Sequence, residues 1–304
     1  MGIKLRVLVF SVIVLLVCSG TYLYLKDQNI MIFNPKGIIA EQEKNLIIIV
    51  TILMLLVVIP VFIMAAWFPY KYREQNPAAL YRPNWDNNLK LEAVWWGLPI
   101  LIIGVIAVIT WESTHRLDPF KPIAKVENQM NIQVVAMRWK WLFIYPEDDV
   151  VSVNKLVIPK DTPVSFSITA DAPMNSFWIP QLSGQIYAMN GMSSKLHLVG
   201  NVVGDYEGLS ANISGEGFSD MRFVTTVTDS QDYQQWIREI RNKSSKFGSN
   251  EYDQLSIPSV KSVQQQFVLA DKDIYQKVLA KYQSPQYENT KEQEEYHQHK
   301  EEKE

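Results

Sequence analysis

The chain has 304 residues, 47% of them hydrophobic, and a formal net charge of −3. So weak a charge balance, with no basic stripe interleaved with aromatics, excludes a nucleic-acid partner. The triplet "GEG" at 215–217 has no Lys-Ser/Thr behind it to cradle a nucleotide.

The first apolar run, Val7 to Leu25, follows Lys4 and Arg6, and assigns residues 1–26 to a signal peptide or a retained anchor helix. Cys18 is the only cysteine, so no intramolecular disulfide forms. Its setting, "LLVCSG", allows a leader cut before a lipidated cysteine. Against that, Val17 is not a small residue and the apolar run continues through "TYLYL", as for a buried thiol in a membrane helix.

From Leu46 to Phe68 the chain runs 23 residues without a charge. At about 1.5 Å per residue that exceeds the roughly 30 Å of a bilayer core. Ala93 to Trp111 is a second charge-free run, bounded by Glu92 and Glu112. The pattern predicts transmembrane helices at 46–68 and 93–111. The loop between them, 69–92, carries Lys71, Arg73, Arg82 and Lys90, which places it on the cytoplasmic side and both long hydrophilic parts outside.

Beyond Trp111 short segments alternate with turn residues. "IQVVAMRWKWLFIYP" at 132–146 begins as one strand and continues as a second, aromatic-rich one. "PVSFSIT" at 163–169 places Val164, Phe166 and Ile168 on one face and Ser165, Ser167 and Thr169 on the other, the pattern of a half-buried strand. Further strands are predicted at Lys195 to Val199 and Met221 to Val227. This spacing implies an antiparallel sandwich or barrel over 126–229.

Tyr233, Trp236, Ile237 and Ile240 then recur at helical spacing behind Asp229 and Ser230, which offer capping oxygens. A second helix is predicted around Asp273 to Tyr282, within a helical extension over 230–287. The segment "ENTKEQEEYHQHKEEKE" at 288–304 has almost nothing to bury and reads as a disordered tail. His297 and His299 on it are not a preorganised metal site. The fold class expected is a membrane-anchored all-β protein: a transmembrane helical hairpin, then a β-sandwich with C-terminal helices.

Several motifs carry a resemblance. "MNSFWIP" at 174–180 resembles a His-Ser-Phe-x-Ile-Pro strand, and "GLSANISGEGFSDM" at 208–221 resembles a Cys-x-Glu-x-Cys-x-x-x-His-x-x-Met loop. With "RWKWLFIYP", these are similar to subunit II of the haem-copper respiratory oxidases, whose outward domain is a cupredoxin-like Greek-key sandwich. Relatives that accept electrons from cytochrome c hold a two-copper centre in that loop. Here Asn175 and Phe218 stand at the histidine positions, Ser210 and Ser214 at the cysteines, and Asn212 at the glutamate; Met221 alone is retained. Soft copper requires thiolate or imidazole donors, so the resemblance implies a metal site that has been lost.

"NPKG" at 34–37, "YRPNW" at 81–85, "LEAVWW" at 91–96, "STHRLDP" at 113–119 and "GQIYAMNGM" at 184–192 resemble the quinol-oxidizing branch, of the cytochrome bo type. That resemblance implies a subunit of a proton-pumping quinol:oxygen oxidoreductase in the bacterial inner membrane. It would bind no cofactor itself, with haems and copper in subunit I. Ubiquinol or menaquinol would meet subunit I only, and no cytochrome c would dock. Glu92 resembles a glutamate at the entrance of a proton path into subunit I; a boundary charge at a helix N-terminus is the alternative.

Trp139 and Trp141 read as packing residues on alternate strand positions, because an electron path through them would have no copper behind it. His115 and His197 read as hydrogen-bonded structural histidines. The alternative function is a stand-alone membrane-tethered copper-handling module. A copper carrier should cluster Met and His, whereas Met189, Met192 and Met221 have no neighbouring histidine pair.

Overall fold

The computed structural model describes residues 30–79, 87–123 and 129–283, with scattered positions between 12 and 28. Cys18, most of the 1–26 segment, the "YRPNW" motif, the end of the 230–287 extension and the 288–304 tail with His297 and His299 lie outside the described residues.

Two long helices come first, α1 (Ile38–Lys71) and α2 (Leu89–Arg116). Both extend past the charge-free runs at each end, which narrows the intervening loop from the expected 69–92 to 72–88. Their large apolar side chains, Phe62, Ile63, Trp96 and Leu101 among them, are exposed. Such a surface is untenable in water but natural in lipid, where a helix satisfies every backbone polar group internally. Asn88 caps α2, accepting from the Lys90 and Leu91 amides at 3.1 and 3.2 Å.

The outer end of α1 is clasped by the domain that follows. The Lys36 and Gly37 amides donate to Gln181 O at 2.7 and 3.1 Å, and Ile38 N donates to Asn201 Oδ1 at 3.1 Å. Asn201 thus caps a helix more than 160 residues away. A Cβ at Gly37 would lie 2.6 Å from Leu182 O and 2.8 Å from Val199 O, so only glycine permits this approach.

The sandwich has two sheets. The first is built from β1 (Met130–Met137), β2 (Lys140–Tyr145), β3 (Val150–Val153), β5 (Pro163–Ala170) and β8 (Ser194–Val199), with β11 (Lys246–Phe247) and β12 (Gln265–Leu269) at one edge. The second contains β4 (Lys155–Pro159), β6 (Asn175–Trp178), β7 (Ile186–Ala188), β9 (Gly204–Ser210) and β10 (Arg222–Thr228). The pairing is mixed rather than antiparallel throughout: β1–β5, β4–β10 and β11–β12 run parallel. Between β1 and β5 the chain passes through three other strands, a connection long enough for a parallel crossover.

The inter-sheet core is aromatic. Phe177 and Phe223 stack at 5.2 Å between ring centres, and Trp141 meets both rings edge-on at 5.2 and 5.7 Å. A second core lies on the other face of the first sheet. There Val135, Met137, Leu142 and Ile144 pack against Phe247, Ile274, Tyr275 and Val278 of the C-terminal extension.

That extension consists of α3 (Ser230–Lys243), α4 (Ser249–Ser256), α5 (Ile274–Gln283) and the edge strands β11 and β12, so it is not purely helical as the spacing predicted. β5 is not half-buried either: Ser165 and Thr169 are both buried, Ser165 against His197 and Thr169 with its hydroxyl on Met189 O at 3.1 Å. Asp229 occupies the N-cap of α3, but its side chain makes no capping bond, contrary to expectation.

Candidate functional site

Strands β6 and β9 pair so that Phe177 faces Ser210 and Trp178 faces Leu209. This register brings the two arms of the "MNSFWIP" and "GLSANISGEGFSDM" motifs together. Asn175 and Ser210 are both buried, and Ser210 Oγ donates to Asn175 Oδ1 at 2.8 Å. Asn175 Nδ2 donates to Pro173 O at 2.7 Å, and Asn212 Nδ2 to Met174 O at 2.8 Å. The Ser210 amide donates to Met221 O at 3.2 Å, closing the loop at its base, and Met221 is buried in the inter-sheet core.

The far arm of the loop is held differently. Phe218 begins a single 3-10 turn, Phe218–Asp220, with its amide on Gly215 O at 3.1 Å, and its ring is half-buried. Ser214 O accepts from Trp139 Nε1 at 3.2 Å. Ser214 Oγ is buried without a hydrogen-bond partner among the described residues, beside a cavity of about 150 Å³ lined by Trp139, Pro173 and Asn175.

Trp139 does not occupy a strand position alternating with Trp141. It lies in the β1–β2 turn with a left-handed φ of 62°, and its indole covers Gly215 and Gly217. A Cβ at Gly217 would meet that ring at 2.5 Å. Trp141, by contrast, is a core residue.

The structure therefore gathers Asn175, Ser210, Asn212 and Met221 into one hydrogen-bonded end of the sandwich, with Ser214 and Phe218 on the adjoining arm. Their donor atoms are amide and hydroxyl groups and one thioether. Neutral hydroxyls and amides are hard, weak ligands, so this set does not fit a thiolate-bridged copper pair.

Glu92 sits in the first turn of α2, half-buried, with its amide on Asn88 O. It lies at the end of the hairpin opposite the one where Ile38 and Arg116 meet the sandwich. His197 makes two hydrogen bonds, Nδ1 with Pro119 O at 3.0 Å and Nε2 with Ser165 Oγ at 3.2 Å. His115 Nδ1 bonds Trp111 O at 2.8 Å, and its ring lies 4.5 Å from that of Trp111. Both histidines are spent on structure.

Two positions escaped sequence reasoning. Asp171 accepts from Tyr252 Oη at 2.6 Å, from Lys281 Nζ at 2.7 Å and from Tyr282 Oη, joining the end of β5 to α4 and α5. Lys140 is buried and donates to Leu255 O and Ile257 O at 2.8 and 2.9 Å, and burial lowers its pKa. In the sequence neither charge is marked out by its neighbours, and the partners lie 81 to 117 residues away.

No family model matches the chain. It is 47% identical to the cytochrome bo(3) ubiquinol oxidase subunit 2 of Pseudomonas putida over 86% of this chain and 83% of that protein. It is 43% identical to the ubiquinol oxidase subunit 2 of Acetobacter aceti, over 83% and 82% respectively. The quinol oxidase subunit 2 of Bacillus subtilis is 36% identical, over 76% and 72%. Among solved structures, the periplasmic domain of cytochrome oxidase subunit II of Bradyrhizobium japonicum is 18% identical with a TM-score of 0.37, covering 40% of this chain and 98% of that one. By its similarity to the first three over most of their length, the chain belongs to the quinol oxidase subunit 2 family.

Proposed function

We propose that this chain is the non-redox subunit of a proton-pumping quinol:oxygen oxidoreductase of the bacterial inner membrane. It binds no copper, docks on a haem-bearing subunit I that holds the haems and copper, and leaves quinol to that subunit. The observation that carries this reading is the Ser210–Asn175 hydrogen bond, with Asn212 tied to Met174 O, where a metal centre would need anionic or imidazole donors. These side chains satisfy one another rather than a metal. With no copper relay there is no use for cytochrome c at this face.

The Glu92 carboxylate, at the cytoplasmic end of α2, gathers protons for a path into subunit I. Support comes from its place at the mouth of a spanning helix, half-buried in the chain alone.

Copper analysis of the purified full-length chain tests the first claim. After equilibration with copper and desalting, less than stoichiometric metal and no intense visible absorption are expected. Two coppers bound per chain would overturn it.

A further inference from the structure

The outer ends of α1 and α2 meet the sandwich around a cavity of about 430 Å³. Its depth in the bilayer follows from the sequence. Glu43 stands three residues outside the charge-free run that starts at Leu46, about 4.5 Å along the helix, and Arg116 stands five residues beyond Trp111, about 7.5 Å. The polar layers add roughly 10–15 Å in total to a hydrocarbon core of about 30 Å, so both residues fall at the level of the lipid headgroups.

The lining carries both signs of charge. Arg116 and Lys121 supply cations, Glu43 and Asp118 carboxylates, and Ile39 and Leu117 an apolar wall. The cations are available: Arg116 makes only a loose 3.8 Å contact with Glu112, both side chains being exposed. His197 also lines the cavity, but Ser165 and Pro119 occupy its two nitrogens.

Glu43 is half-buried, and the Gly184 amide donates to its carboxylate. A Cβ at Gly184 would lie 2.4 Å from Glu43 Oε1, so the carboxylate rests on bare backbone. Among the described residues no lysine or arginine pairs with Glu43. The adjacent Gln42 Oε1 is buried and has no donor among them. A sheltered carboxylate beside an unsatisfied amide oxygen calls for a ligand with several N–H donors and a positive charge.

We infer that this cavity holds the headgroup of a phosphoethanolamine lipid of the outer leaflet. The primary ammonium lies on the Glu43 carboxylate and Gln42 Oε1, the phosphate lies toward Arg116 and Lys121, and the acyl chains leave along Ile39 and Leu117. A choline headgroup carries the same charges but no N–H, so it cannot satisfy either acceptor. A glycerol headgroup supplies the phosphate and neutral hydroxyl donors but no positive charge, and so leaves Glu43 without its counter-charge.

The intact oxidase complex, stripped of lipid in detergent, tests this with phosphatidylethanolamine, phosphatidylcholine and phosphatidylglycerol, each photoactivatable near the headgroup. Crosslinks are mapped by mass spectrometry. Phosphatidylethanolamine is expected to label the peptides around residues 38–44 and 116–123 about tenfold more than either other lipid at equal concentration. Glu43→Gln should bring its labelling down to the phosphatidylcholine level. Arg116→Ala should reduce labelling by phosphatidylethanolamine and phosphatidylglycerol together, a readout independent of Glu43. Equal labelling by ethanolamine and choline lipids in the unaltered complex, a preference for phosphatidylglycerol, or an ethanolamine preference that survives Glu43→Gln would overturn the proposal.

Discussion

At the copper-loop end of the sandwich, Asn175 and Ser210 occupy each other's hydrogen-bonding atoms across the β6–β9 register. Together with the Asn212–Met174 bond, this network keeps the buried polar atoms of that end paired. The sequence alone shows that Asn175, Ser210, Asn212, Ser214 and Phe218 carry no thiolate or imidazole. The network was not legible there, since it depends on which strand lies beside which. Glu92 was legible as a boundary carboxylate, and its chemistry is open to a direct test. Glu92→Gln removes acid–base function with little change in shape, and should slow quinol oxidase turnover by about tenfold while haem content and assembly stay constant. Unaltered turnover across pH would leave Glu92 a simple helix-terminal charge. Gly37 makes a structural prediction at the same scale. Gly37→Ala drives a methyl into Leu182 O and Val199 O, and should cost roughly 1–3 kcal/mol in thermal unfolding of the purified chain.

Among elements, the C-terminal extension differs most from expectation. Its helices α3 and α5 were visible as apolar residues at helical spacing, but β12, with the sequence "QQFVL", is too short and too polar at its start to stand out. A signal for the covered sheet face did exist: β1 and β2 are nearly continuous in apolar residues, which fits strands buried on both sides better than an alternating pattern does. Asp171 fastens this layer. Burial alone pushes its carboxyl up, yet the bonds from Lys281, Tyr252 and Tyr282 outweigh that and hold it below the ordinary aspartate range. A depressed folded-state value adds stability that is present at neutral pH and is lost as pH falls below about 4. Limited proteolysis of the extension should accordingly accelerate below that pH. Asp171→Asn should reproduce the effect at neutral pH, weakening the attachment by roughly 2–3 kcal/mol, and unchanged cleavage would show that the extension is held by its apolar face alone.

For the whole molecule, the hairpin and the sandwich were legible from charge-free length and from strand spacing, and the junction between them was not. That junction depends on the contacts of Gly37, Gln181 and Asn201, residues far apart in the chain and unremarkable in composition. The parallel β1–β5 pairing escaped notice for the same reason, since periodicity reports which face a residue occupies but not which strand is its neighbour. The central claim is that the 208–221 loop keeps the backbone of a copper loop and has lost only its donors. The most direct test is copper binding by the full-length chain carrying Asn175→His, Ser210→Cys, Asn212→Glu, Ser214→Cys and Phe218→His, with Met221 already in place. If the backbone is retained, the folded variant binds two coppers per chain and develops intense thiolate-to-copper absorption in the visible. A variant that keeps the native β-sheet circular dichroism and binds no stoichiometric copper contradicts the account.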